Sequence, residues 1–106
     1  MSNEQKYLNL IGLAYRARKI SLGEEQIVRD IQKAKAKLVL IASDTGQQTK
    51  KKLTDKCNYY QIPFRMTVER DQLSHAIGKS GRVAVAILDQ GFADKICSLL
   101  DNTIRG

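Results

Sequence analysis

With 106 residues, 42% of them apolar, the chain can bury one core and is too short for two domains. A formal charge of +7 and a pI near 9.6 say nothing of the fold but point to a polyanionic partner, nucleic acid first. Two isolated cysteines and a single histidine exclude a zinc finger or a disulfide framework.

Taken in chain order, residues 3–17 predict a helix, because Tyr7, Leu8, Ile11, Ala14 and Tyr15 recur at spacings of three and four. RARK and ISLG interrupt it, with a very short strand at Ile20–Leu22, and a second helix from Glu24 to about Lys35 carries Ile27, Ile31 and Ala34 on one face. KLVLIASD follows, and its uninterrupted, β-branched apolar run predicts a strand buried on both faces. TGQQTKKKLTDKCNYYQ turns amphipathic through Leu53, Cys57 and Tyr60 and predicts a third helix, which the only proline, Pro63, ends before a short strand, PFRMTV. RDQLSHAIGK predicts a short helix burying Leu73, Ala76 and Ile77 and stopped by Gly78. RVAVAILD is a second buried strand, and FADKICSLLDNTI a last helix through Phe92, Ile96, Leu99 and Leu100. Strands alternating with helices over residues 1–106 predict a single α/β domain, a three-layer α/β/α sandwich around a mixed sheet of about four strands.

The longest apolar run, LVLIA, is far short of the roughly 20 residues a membrane-crossing helix needs. MSNEQKYLNL has no basic segment followed by a long apolar one. The expectation is a cytoplasmic protein, off the membrane and monomeric, with Cys57 and Cys97 as reduced, buried thiols. Its charge is uneven: residues 1–82 hold 16 Lys and Arg against 8 Asp and Glu, residues 83–106 only 2 against 3, so the last quarter reads as packing material.

Three stretches carry candidate chemistry. SLGEEQIVR starts the second helix with two carboxylates inside a basic sequence. One explanation is capping, with Gly23 as N-cap and Leu22 and Ile27 as a hydrophobic staple, or with Ser21 and Glu24 as a capping box. The other is recognition: amid Arg16, Arg18, Lys19, Arg29, Lys33, Lys35 and Lys37, a carboxylate or amide at a helix start can meet base edges while the cations hold phosphates. TKKK, with Lys50 to Lys52, places lysines at a helix start, where the dipole opposes them. GKSG is not a Walker A loop, because Leu73 stands where that motif needs glycine and the segment runs from helix to strand; it is a flexible cationic loop. His75 has no serine or cysteine partner that the sequence can place beside it, Glu69 and Asp71 read as helix-start residues, and neither a triad nor a carboxylate dyad stands out. Tyr59 and Tyr60 can stack on bases, but one or both are expected in the core.

The ordered set LGEEQIVRDIQKAKAKLVLIASD, IPF, QLSHAIGKSGR and RVAVAILD resembles the ribosomal-protein superfamily of L7Ae and L30e, closest to its small bacterial branch, over about residues 7–90. Better known members bind kink-turn RNA. The resemblance implies a non-catalytic RNA-binding protein without metal or cofactor, on rRNA or another structured RNA in a ribosome or ribonucleoprotein. Carried over position by position, the family's Gly-x-Asn-Glu-x-x-Lys falls on Gly23, Glu24, Glu25, Gln26 and Arg29, with Glu25 and Gln26 in place of the Asn-Glu that meets sheared G·A pairs. Glu25 is an acceptor only, where asparagine both donates and accepts. Further contacts fall on Lys33, Gly46, Lys50 and Arg70, and the loop covering a flipped-out nucleotide falls on Gly78, Lys79, Ser80, Gly81, Arg82 and Val83; Lys33, Lys37 and Lys50 to Lys52 are expected around this surface as phosphate contacts. The alternative is a protein-interaction module on the same fold.

Overall fold

The structure, a computed structural model, describes residues 2–105, with side-chain surroundings for residues 2–102. Among these residues the chain forms α1 (Asn3–Arg16), β1 (Ile20–Leu22), α2 (Glu24–Gln32), β2 (Leu38–Ala42), α3 (Gln47–Tyr60), β3 (Phe64–Thr67), α4 (Arg70–Ala76), β4 (Ala84–Ile87) and α5 (Gln90–Arg105). The strands lie in the order β1-β4-β2-β3, with β4 antiparallel to both neighbours and β2 parallel to β3, which makes the sheet mixed.

Side-chain alternation along β2 divides the interior. Leu38, Leu40 and Ala42 join Val85 and Ile87 under α1, α4 and α5, packing on Tyr7, Ile11, Leu73, Ile96 and Leu100. Val39 and Ile41 face the other way and join Ala84 and Ala86 under α2 and α3, against Ile27, Ile31, Leu53 and Cys57. Every residue of β2 and β4 is buried, as strands covered by helices on both faces must be. The layers are α1, α4 and α5, then the sheet, then α2 and α3.

Two local features fix how the layers meet. A Cβ on Gly12 would stand 2.8 Å from the carbonyl oxygen of Ala76, so α1 approaches the end of α4 at backbone distance and only glycine fits there. At the β3 edge, the Arg65 guanidinium donates to both carboxylate oxygens of Asp101 on α5, at 2.9 and 3.4 Å. That pair ties the outermost strand to a helix.

Strand directions decide where the loops collect. In the observed pairing Leu22 is opposite Val85, Ile41 opposite Ala84, and Ala42 opposite Thr67. The chain therefore leaves β1, β2 and β3, and enters β4, along one rim of the sheet. This first rim carries the starts of α2, α3 and α4 and the loop of residues 78–83. The opposite, second rim carries the ends of α1, α2 and α3 and the loops that lead into β1, β2 and β3.

Candidate nucleic-acid interface

At the first rim, α2 begins on Gly23, whose φ of 86° lies where glycine is at ease and a side chain is strained. Neither capping arrangement expected from the sequence forms. Ser21 stays in β1 with its Oγ unpartnered, so there is no capping box. Leu22 packs with the α1–α5 core and Ile27 with the α2–α3 core, so the sheet separates the two halves of the staple. No side chain caps the helix, and its first-turn N–H groups are left without one.

The three side chains that follow differ in their freedom. Glu24 is half-buried and its carboxylate lies 3.7 Å from Lys52 Nζ on α3, a bridge across two helices that start side by side. Gln26 is committed along its own helix: its Oε1 accepts from Arg29 Nη2 at 2.9 Å, and its Nε2 donates to Asp30 Oδ1 at 3.1 Å. Asp30 is buried, 4% exposed, so the amide satisfies a carboxylate withdrawn from water. Glu25 is exposed and has no partner among the described residues. Of the three, Glu25 is the side chain presented outward.

Beside it, α3 starts on Gly46, with Lys50 closing the first turn by donating its N–H to the Gly46 carbonyl. The lysine run is distributed rather than idle: Lys51 pairs with Asp55 at 2.9 Å, Lys52 with Glu24, and Lys50 pairs with no carboxylate among the described residues. Arg70, expected as a contact, is engaged on the rim itself by Asp44, with its side chain still 43% exposed. Its backbone N–H donates to Asp44 Oδ1 at 2.8 Å, its Nε to Oδ2 at 3.3 Å and its Nη2 to the Asp44 carbonyl at 2.8 Å. Asp44 thereby caps α4 in place of Glu69, and the Arg70 N–H, more than any other group, holds its carboxyl below the usual carboxylate range.

The loop of residues 78–83 is shaped by Gly78 and Gly81, both at positive φ, 68° and 69°. Its return to the sheet is anchored by Ser74, 2% exposed: Oγ accepts from the Arg82 N–H at 2.8 Å and donates to the Arg82 carbonyl at 3.1 Å. Val83 then accepts from the Ala42 N–H at 2.8 Å, which joins the loop to the end of β2, and Thr45 Oγ1 lies within hydrogen-bond distance of both the Ala42 and Val83 carbonyls. Lys79 leans over the Tyr15 ring, its Nζ 5.8 Å from the centroid, and Ser80 is exposed at the loop tip. The Nε of half-buried Arg82 is enclosed without a hydrogen-bond partner.

The first rim therefore gathers Gly23, Glu24, Glu25, Gln26, Gly46, Lys50, Arg70 and residues 78–83, with Arg29 held against Gln26. It does not gather Lys33 and Lys37. Lys33 ends α2 and Lys37 precedes β2, giving its N–H to the Ile87 carbonyl and its Nζ to the Ala34 carbonyl, so both stand at the second rim. The reason is the length of α2, roughly 13 Å at 1.5 Å per residue, which carries charges adjacent in sequence to opposite ends of the sheet.

Other expectations are also corrected. Tyr59 is 79% exposed and Tyr60 38%, edge to face with centroids 4.8 Å apart, so neither belongs to the core. Cys57 is buried, its thiol pushed up to about 11 by desolvation, but Cys97 is only half-buried. Within α4 it is Ser74 rather than Ala76 that is fully enclosed. His75 is exposed in an open groove between α1 and α4, lined also by Asn9, Arg16 and Gln72. No group of three metal-ligating side chains occurs among the described residues, and no described helix is long and apolar enough to cross a membrane. The sequence reading missed Ser74, Asp44 and Thr45: their roles depend on partners brought near by the sheet, and short polar residues beside a loop give no signal of that kind.

Comparison with known proteins places the chain. The pattern of the ribosomal protein L7Ae/L30e/S12e/Gadd45 family matches residues 5–97. The chain is 50% identical over 96 residues to the RNA-binding protein YlxQ of Bacillus subtilis, covering 91% of this chain and 96% of that protein. It is 28% identical over 88 residues to the large ribosomal subunit protein eL8 of Thermoplasma volcanium, covering 82% and 73%. A solved structure of a protein of unknown function from Bacillus halodurans superposes with a TM-score of 0.88 at 48% identity, over 91% of this chain and 97% of the other.

Proposed function

The chain belongs to the ribosomal protein L7Ae/L30e/S12e/Gadd45 family, and from that premise we propose that it is a non-catalytic RNA-binding protein that grips a structured, kink-turn-like RNA at the first rim, within a ribosome or ribonucleoprotein. The relatives' names support the RNA, as YlxQ is named an RNA-binding protein and eL8 a ribosomal one. The observation that carries the reading is the convergence, on one rim, of the uncapped start of α2 with the glycine-turned, Ser74-anchored loop of residues 78–83.

Each part has a task. The first-turn N–H groups of α2 and the cations Lys50, Lys79 and Arg82 attract backbone phosphates and fix the register of the RNA without reading sequence. Gly23 lets a base approach the helix start without meeting a side chain. Glu25 accepts from base-edge amino groups and repels a phosphate that arrives in its place. Gln26 keeps α2 in order through Arg29 and Asp30 and leaves the reading to Glu25. The loop of residues 78–83 covers an extruded nucleotide, and Ser74 holds its return strand in place.

Carboxylates inside a basic protein are, on this account, the selective element. Glu25→Asn restores a side chain that donates as well as accepts, and kink-turn affinity should rise several-fold, on the order of 1 kcal/mol per hydrogen bond recovered. Titration of a fluorescently labelled kink-turn RNA checks this; unchanged affinity for the variant would remove Glu25 from the interface.

A further inference from the structure

The second rim has its own electrostatic character. It collects Arg18 and Lys19 from the loop before β1, and Lys33, Lys35 and Lys37 from the loop before β2. The fold fixes these loops on either side of one strand: Leu88 donates its N–H to the Lys19 carbonyl at 2.8 Å, and Lys37 donates its own to the Ile87 carbonyl at 2.7 Å. With β1 and β2 each one strand spacing from β4, the backbones of Lys19 and Lys37 stand about 10 Å apart.

None of the five cations pairs with a carboxylate among the described residues, although Lys51, Lys52, Arg65 and Arg70 all do so elsewhere. Nearby acids are already engaged: Asp30 is buried on Gln26, Asp89 caps α5 through the Phe92 N–H, and Asp94 accepts from Gln90. Arg18 holds a backbone φ of 60°, a helix-ending position where glycine is sterically cheaper. Helix C-termini also draw cations through their dipoles. That effect does not account for the pattern, because α3 ends at the same rim with no basic residue in its last turn.

The first rim mixes carboxylates with cations, as a surface that selects does. The second presents cations that no carboxylate pairs among the described residues, its neighbouring acids being bonded within the protein, as a surface that holds phosphates irrespective of sequence does. We propose that the second rim is a separate docking surface for the sugar-phosphate backbone of duplex RNA. If the first rim holds its RNA as proposed above, the protein then tethers two RNA helices through opposite ends of one sheet; the phosphate affinity of the second rim does not depend on that reading.

The test uses a plain RNA duplex without a kink-turn, titrated by fluorescence anisotropy at low salt against the full chain and two variants of equal net charge. Lys19→Gln/Lys33→Gln/Lys35→Gln removes cations from the second rim; Lys6→Gln/Lys56→Gln/Lys95→Gln removes as many elsewhere. All three rim positions are exposed, and Lys37, which bonds Ala34, is spared. The rim variant should bind the duplex at least tenfold more weakly and lose up to about 0.9 in salt slope per phosphate contact removed, while the control stays within threefold of wild type. Equal weakening of both variants, or wild-type binding by the rim variant, would overturn the proposal. If the triple variant does not fold, as read by circular dichroism, Lys33→Gln/Lys35→Gln is compared with Lys6→Gln/Lys95→Gln on the same criterion. In a second arm, immobilised kink-turn RNA loaded with protein captures labelled duplex. Rim-dependent duplex binding without any loading onto the kink-turn would sink the first-rim reading and leave this one standing.

Discussion

Glu25 and Gln26 are neighbours with opposite duties, and only their hydrogen bonds reveal it. Gln26 spans Arg29 and buried Asp30, so Gln26→Glu brings a second carboxylate within about 3 Å of the first and removes its donor. That change should cost about 1–2 kcal/mol in urea denaturation, and adding Asp30→Asn should recover most of it; no recovery would mean that Asp30 is satisfied some other way. Asp44 offers a second check at this scale. Its folded pKa is depressed below 3.8, chiefly by the Arg70 N–H, so its contribution to stability is present above about pH 4 and is lost as pH falls through the folded value. The urea midpoint of Asp44→Asn should accordingly fall less than wild type between about pH 5 and pH 2. In the sequence these residues were visible only by type: SLGEEQIVR marked the place, but a staple read from Leu22 and Ile27 fails because residues at suitable spacing emerge on opposite faces of a sheet.

The elements themselves were largely legible. Buried strands such as LVLIA and AVAI announce themselves because both faces must be apolar, and α1 shows its face as Tyr7, Ile11 and Ala14. At the end of α3 the sequence shows the helix but not what it buries: Tyr60 continues the spacing of Leu53 and Cys57, yet both it and Tyr59 are exposed. Close approach of α1 to α4 had no signal beyond a glycine within an apolar stretch. Gly12→Ala would press a methyl group against the Ala76 carbonyl at 2.8 Å, backbone against which little can give. Despite alanine's better helix propensity the variant should lose about 1–3 kcal/mol in denaturation, and a gain in stability would show that the two helices part easily.

At the scale of the whole molecule, the sheet does what composition cannot: it sorts one basic sequence into two rims. Lys33 and Lys37 follow Arg29 closely in the chain and were expected beside it, yet a single helix length moves them to the far end. The start of α2 and the loop of residues 78–83, far apart in sequence, are brought to one rim by the pairing of β1 with β4. The central claim is that their meeting place recognises the shape of an RNA and does more than attract its charge. Titration of the wild-type protein against a kink-turn RNA and against a straight duplex of matched length and composition, at about 50 and 200 mM monovalent salt, tests it most directly. The kink-turn should bind at least tenfold more tightly, with the preference growing as salt weakens the shared phosphate contacts; equal affinity for the two RNAs at both salt concentrations would contradict it.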